Sequence, residues 1–113
     1  MNKNLIYLRS MLETISEIEE IRSMEGFDEN NFLYERSMEK CVENIGEAAK
    51  NISGDMMDDY PQVKWRQIIG FRNRVSHDYL GYDRMFLWNT IENEIPKLKL
   101  QIEEILNDLE ARG

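Results

Sequence analysis

The stretch Arg72-Asn73-Arg74-Val75-Ser76-His77-Asp78-Tyr79 holds the only histidine of the chain, five residues after an arginine. It lies in the most basic segment of an acidic protein. Imidazole is the side chain whose unperturbed titration falls near neutral pH, and guanidinium is a planar, permanently charged clamp for phosphate. Together they point to phosphodiester chemistry, with RNA as the first substrate to consider. RNA carries its own nucleophile, the ribose 2′-OH. An enzyme need only remove that proton, stabilise the charged phosphorane and protonate the departing 5′-oxygen. His77 could act as general base or, protonated, as general acid. Arg72 could set a fixed charge and N–H donors on the phosphate oxygens, and Asn73 could hold the imidazole or donate to the phosphate. No metal is required, and one histidine and one distant cysteine do not compose a zinc site.

Helical spacing gives this segment a geometry. With Arg72 at zero and about 100° per residue, Tyr79 falls near −20°, Ser76 near 40°, Asn73 near 100° and His77 near 140°, an arc of roughly 160°. Asn73 and His77 are i, i+4 neighbours, and a phosphate above the arc could touch Arg72 and His77 together. Efficient cleavage calls for two proton-transfer groups, and each chain has one histidine. A symmetric dimer would supply His77 and Arg72 twice. The plainer alternatives are a histidine satisfied near a helix end, a solvated Asp78, and a Tyr79 ring packed against Trp88 or Phe86.

The 113 residues amount to one domain, 1–113, with 42% hydrophobic and 32% charged residues, an ordinary globular mix. A net charge of −8 argues against a protein that coats nucleic acid. The charge is uneven, though: Lys64, Arg66, Arg72 and Arg74 occur with no acid between them, leaving 10 basic against 22 acidic residues elsewhere. A local positive patch of this kind can hold one phosphate without gripping a long strand. The acidic remainder could be simple solvation or could face a basic partner. The first residues carry Lys3 and Arg9 and no long apolar run, so neither a signal peptide nor a membrane span is expected. The single Cys41 reads as a small buried hydrophobe in a reduced, cytoplasmic setting.

The elements that must position the motif are helical. Leu5, Leu8, Leu12, Ile15, Ile18 and Ile21 recur at three- and four-residue steps and predict a helix over about residues 4–24. Asp28 or Asn30 would cap a second helix with Phe32, Met38, Val42, Ile45, Ala49 and Ile52 facing inward, ending at Ser53-Gly54-Asp55. Gly46, Ala48 and Ala49 thin it enough for a tight helix crossing. Pro61 suits the first turn of a third helix, with Trp65, Ile68, Ile69, Phe71, Val75 and Leu80 as its apolar contacts. Gly81 and Asp83 separate it from a segment carrying Met85, Phe86, Trp88 and Ile91, which Pro96 ends or kinks. A last helix carries Leu98, Leu100, Ile102, Ile105 and Leu109. No strand-like alternation is sustained, so the expected fold is an all-α, up-and-down bundle of four to five helices. Its long flanking helices have apolar surface to spare for self-association.

Arg72-x4-His77-x-Tyr79 resembles the R-x4-H-x-Y signature of the HepT-like toxins of the HEPN superfamily. Ile45-Gly46-Glu47-Ala48-Ala49-Lys50 is similar to that family's I-G-E-A-A-K helix. Pro61 with Trp65, then Ile68-Ile69-Gly70-Phe71-Arg72-Asn73, resembles its P-x-x-x-W stretch leading into G-x-R-N, and His77-Asp78-Tyr79-Leu80-Gly81 and Ile95-Pro96 follow in order. Phe71 stands where methionine is common and Ser76 where an aliphatic is common. The resemblance implies an all-α HEPN homodimer with its active site in the cleft between protomers. It also implies a metal-independent endoribonuclease toxin, needing no cofactor, with Arg72 and His77 catalytic and Asn73 supporting. The antitoxin would be an MntA-like minimal nucleotidyltransferase that transfers AMP to Tyr79, placing phosphates beside Arg72 and excluding RNA. The other class of reading is a non-catalytic HEPN binding subunit serving a nucleotidyltransferase. Glu47 is open: it could pair with an arginine of the basic helix or be a solvated charge.

Overall fold

The computed structural model describes residues 3–76 and 84–112, and every described element is helical. α1 spans Lys3–Arg22, α2 Phe32–Lys50, α3 Gly54–Asp59, α4 Trp65–Ser76, α5 Arg84–Asn89 and α6 Ile95–Arg112, with one π-helical turn, Thr90–Glu94, joining the last two. This is the all-α bundle that the periodicity predicts. Among the described residues no helix is long and apolar enough to cross a membrane.

α2 is the central element, with α1 and α4 packed against it. Its buried stripe is Met38, Cys41, Val42, Ile45, Gly46, Ala48 and Ala49. α1 answers with Leu8, Met11, Ile15 and Ile18, and α4 with Trp65, Ile68 and Phe71. α6 closes the core with Leu98, Ile102 and Ile105. Side chains of this kind each contribute about 1.5–3 kcal/mol when fully buried. Cys41 belongs to this stripe, and burial, with a smaller push from the Glu17 carboxylate, raises its thiol to about 11.

Several local details differ from the sequence reading: Phe32, expected to face inward, is exposed, because as the first residue of α2 it lies ahead of the stripe that begins at Met38. The N-cap of α2 is Asn31, whose side chain accepts from the Leu33 N–H at 2.9 Å. Asp28 instead folds the preceding turn by accepting from the Asn30 N–H at 2.9 Å. Both do what their short polar side chains allow, and the cap falls one residue after the predicted Asn30.

Where Ser53-Gly54-Asp55 was expected to end the second helix, α2 stops at Lys50 and α3 forms a short helix. Ser53 caps it, accepting from the Met56 N–H at 3.2 Å. Asn4 holds that cap from the far end of the sequence: its Nδ2 donates to Ser53 Oγ at 3.0 Å, and its Oδ1 accepts from the Ser53 N–H at 2.9 Å. Pro61 then lies in a turn rather than in a helix, and α4 starts at Trp65. The Trp65 indole Nε1 donates to the Tyr60 carbonyl at 3.0 Å, which fixes the entry to the basic helix.

Pro96 neither ends nor breaks its helix. A proline lacks the N–H of a regular turn, and its ring presses on the carbonyl four residues back. The turn is widened instead: the Ile95 N–H bonds to the Thr90 carbonyl in the i→i−5 pattern of a π-helix. α5, the π turn and α6 therefore follow one another without a break.

Candidate active site

The basic helix α4 is pressed against α2 at a glycine. A Cβ added at Gly46 would lie 3.0 Å from the Arg72 backbone nitrogen and 3.0 Å from the Ile68 carbonyl oxygen. Both are backbone atoms of a neighbouring helix and cannot swing aside. The predicted tight crossing is thus centred on Gly46, and it falls at the residue that carries the guanidinium. Glu47, the next residue on α2, reaches the Arg72 side chain, with Oε1 2.8 Å from Nε. Of the two readings left open for Glu47, the ion pair is the one observed. Both side chains are about half exposed, so the pair orients Arg72 more than it stabilises the fold.

Asn73 is exposed beside Arg72 on α4. His77, Asp78 and Tyr79 lie outside the described residues. The described elements on either side make contacts of their own. On the α4 side the Arg74 guanidinium sits 3.8 Å from the centroid of the Phe86 ring, and Phe86 meets Phe71 edge-on at 6.1 Å. A cation over a ring face is attracted by the ring quadrupole, so Arg74 couples the end of α4 to α5. At the start of α5, Arg84 pairs with Glu35 and donates from Nη2 to the Glu29 carbonyl at 3.0 Å. The motif thus leaves from one anchored helix and returns to another. Sequence reasoning counted Arg74 only as part of the basic patch and gave Arg84 no role. An Arg–aromatic pair 12 residues apart carries no signal until the helices are placed.

A groove opens on the other side of Glu47, with a volume of about 300 Å³. α1 lines it with Tyr7, Ser10 and Thr14, spaced i, i+3 and i+7 on one face. α2 lines it with Asn44, Ala48 and Asn51, and Glu47 forms its end next to Arg72. None of these lining residues is cationic. The Thr14 hydroxyl donates to the Ser10 carbonyl at 3.1 Å, and Asn51 Nδ2 donates to the Glu47 carbonyl at 2.9 Å. Nothing in the one-dimensional pattern marks these positions, because the groove exists only once α1 and α2 are side by side. Among the described residues no group of three His, Cys, Asp or Glu side chains is arranged to hold a metal ion.

Comparison with known proteins bears on what this arrangement does. The chain is 32% identical over 108 residues to a Methanocaldococcus jannaschii protein named "Putative RNase MJ1216", covering 94% of this chain and 89% of that one. It is 34% identical over 103 residues to "Probable ribonuclease HepT" of Thermococcus cleftensis, covering 88% of this chain and 92% of that one. No solved structure matches. Residues 11–105, which include α2, α4, Arg72 and the whole motif segment, match the family described as Ribonuclease HepT-like, and the chain belongs to that ribonuclease family.

Proposed function

We propose that this chain is a metal-independent endoribonuclease toxin whose active site forms between two copies. In this reading the 2′-oxygen of one ribose attacks the adjacent phosphorus while His77 removes its proton. The bond to the 5′-oxygen breaks, and an imidazolium, the second His77 of the pair, gives that oxygen a proton. The products carry a 2′,3′-cyclic phosphate and a 5′-hydroxyl. Arg72 binds the phosphate and stabilises the charge gathered on it in the transition state; Asn73 supports the pair.

The observation that carries this reading is the Glu47–Arg72 contact on the α2–α4 crossing. It orients a guanidinium five residues before the only histidine, in a member of a ribonuclease family. Orientation matters because catalysis depends on groups held in place before the reaction. Exposed Phe32 and Leu33 at the start of α2 lie near exposed Met85, since Arg84 bonds the turn just before α2. This apolar end supports a second copy of the chain as partner. An MntA-like nucleotidyltransferase antitoxin silencing the site by AMPylation of Tyr79 completes the proposal. The added phosphate would compete for the guanidinium that binds RNA.

The test is cleavage of a mixed single-stranded RNA by the purified protein in the presence of a chelator. Products with cyclic phosphate ends, absent with His77→Ala and with Arg72→Ala, are expected. Mixing His77→Ala chains with wild type should depress activity more than dilution does. Intact RNA with the unmodified wild-type protein free of any partner, from a preparation that still binds a nucleotidyltransferase when one is added, would overturn the enzymatic reading in favour of a binding subunit.

A further inference from the structure

The groove between α1 and α2 has no place in the phosphate chemistry, yet its end wall is the carboxylate that holds Arg72. At about 300 Å³ it is at the small end of ligand sites. Its lining repels phosphate, since it has one carboxylate and no cation. It offers instead neutral hydrogen-bonding groups and one aromatic ring, the equipment with which proteins read an unstacked base.

We infer that this groove is a base-reading subsite that selects guanine in the nucleotide next to the scissile phosphate. The inference rests on the ribonuclease reading for the position of that phosphate at Arg72. The choice of base follows from the hydrogen-bonding groups. Asn51 spends its Nδ2 on the Glu47 carbonyl at 2.9 Å, which leaves Oδ1 as an acceptor. Glu47 meets Arg72 through Oε1, and the several acceptor positions of a carboxylate let it take a further donor. Asn44, exposed one turn back on the same face, brings an amide donor. Two acceptors and a donor complement guanine, whose Watson–Crick edge presents N1–H and N2–H donors beside the O6 acceptor. Uracil offers one donor between two acceptors, and adenine and cytosine present no such pair of adjacent donors. The Tyr7 ring supplies a stacking surface. Beyond Asn44 the α1–α2 surface carries Glu17 and Glu20, and its cations Arg36 and Lys40 face Glu39 and Glu43. That surface does not extend the site to a further phosphate, so one nucleotide is read.

The experiment pairs cleavage with binding. Cut sites of the wild type are mapped on an RNA containing all four bases, and guanosine and adenosine 3′- and 5′-monophosphates are titrated by calorimetry. Cuts beside guanine should exceed those beside other bases by about tenfold, a discrimination typical of a paired base contact. Asn44→Ala, at an exposed helical position, should remove the preference, bringing cleavage beside guanine down to the level seen beside the other bases. Asn44→Asp, which replaces the donor with a charge facing O6, should disfavour guanine further. Cleavage with no guanine preference, or a preference untouched by Asn44→Ala, overturns the subsite and leaves the ribonuclease reading intact. A protein that cuts no RNA but binds the guanosine nucleotides through Asn44 keeps the groove and discards the ribonuclease reading. Failure of both discards both.

Discussion

Gly46 and Gly70 make a matched pair for testing whether the α2–α4 crossing controls Arg72. Each sits inside a helix, α2 and α4 respectively. Replacing either by alanine gains about 1 kcal/mol of helix propensity. Their surroundings are opposite. A Cβ at Gly70 meets nothing within 4 Å, whereas one at Gly46 would be 3.0 Å from two backbone atoms of α4, one of them the Arg72 nitrogen. Ordinary contact needs roughly half an ångström more, and forced overpacking costs about 1–3 kcal/mol. Gly70→Ala should therefore stabilise by about 1 kcal/mol, and Gly46→Ala should be neutral or lose up to about 2 kcal/mol. The difference between the variants isolates the overpacking, because the propensity gain cancels. At about 4 °C per kcal/mol for a domain of this size, their melting temperatures should differ by about 4–12 °C. Activity is the sharper readout. Relief of the contact moves α4 outward with Arg72 on it, and displacement of a catalytic group by about 1 Å can cost roughly 100-fold. RNA cleavage by Gly46→Ala, measured well below its melting temperature, should fall by about 10- to 100-fold, while Gly70→Ala keeps its phosphate-binding helix in place. If Gly46→Ala melted at or above Gly70→Ala with full activity, the close crossing would have no bearing on the site.

Three further outcomes follow from the structure. Glu47→Ala frees the Arg72 side chain to sample other rotamers, so kcat/KM for RNA should drop by about 10-fold or more with a melting temperature within about 4 °C of wild type, since the exposed pair contributes less than about 1 kcal/mol. The Cys41 thiol is raised from 9.0 to about 11 by burial. Its contribution to stability is fully present below pH 9 and is lost as pH rises towards 11, because the unfolded chain ionises first. Denaturant titrations at pH 8 and pH 10.5 should show a smaller alkaline loss in Cys41→Ala than in wild type. Some loss remains in the variant, because the hydrogen bond to Asp108 raises the Tyr60 hydroxyl as well. Arg84→Ala removes the tie from α5 to Glu35 and the Glu29 carbonyl, and should cost about 0.5–1 kcal/mol, less in high salt, as read by chemical denaturation.

Helix content and the core stripe were legible because burial imposes a period. Leu8, Ile15 and Ile18 on α1, and Met38, Val42, Ile45 and Ala49 on α2, are buried where the three- and four-residue spacing puts them. The thin stretch at Gly46 was legible for the same reason, since a helix with no side chain on one face can only be explained by a close neighbour. What stayed hidden depends on distant partners. Ser53-Gly54-Asp55 was read only as the end of the second helix, because the cap of α3 is completed by Asn4, 49 residues away. Pro96 was read as ending or kinking its helix because propensity describes a regular turn, whereas this helix takes a π turn ahead of it. Within the site, the Arg72 motif announced itself by residue type, and Glu47 was half legible as one charge on a helix facing another. Arg74 over Phe86 and the Tyr7–Asn44–Asn51 groove were not legible at all, because neither has a sequence spacing that could be recognised before the helices meet.

The π turn at Thr90–Glu94 sets the phase between α5 and α6. One surplus residue in a turn swings everything after it by about 100° relative to an unbroken α-helix. α5 can then direct Leu87 and Trp88 toward the neighbourhood of α2 and Phe27, while α6 turns Leu98, Ile102 and Ile105 into the core beside α1. A uniform helix would have to satisfy both neighbours with one straight stripe. The bulge works as a torsional coupling, letting the end that receives the motif segment and the end that seals the bundle be tuned independently.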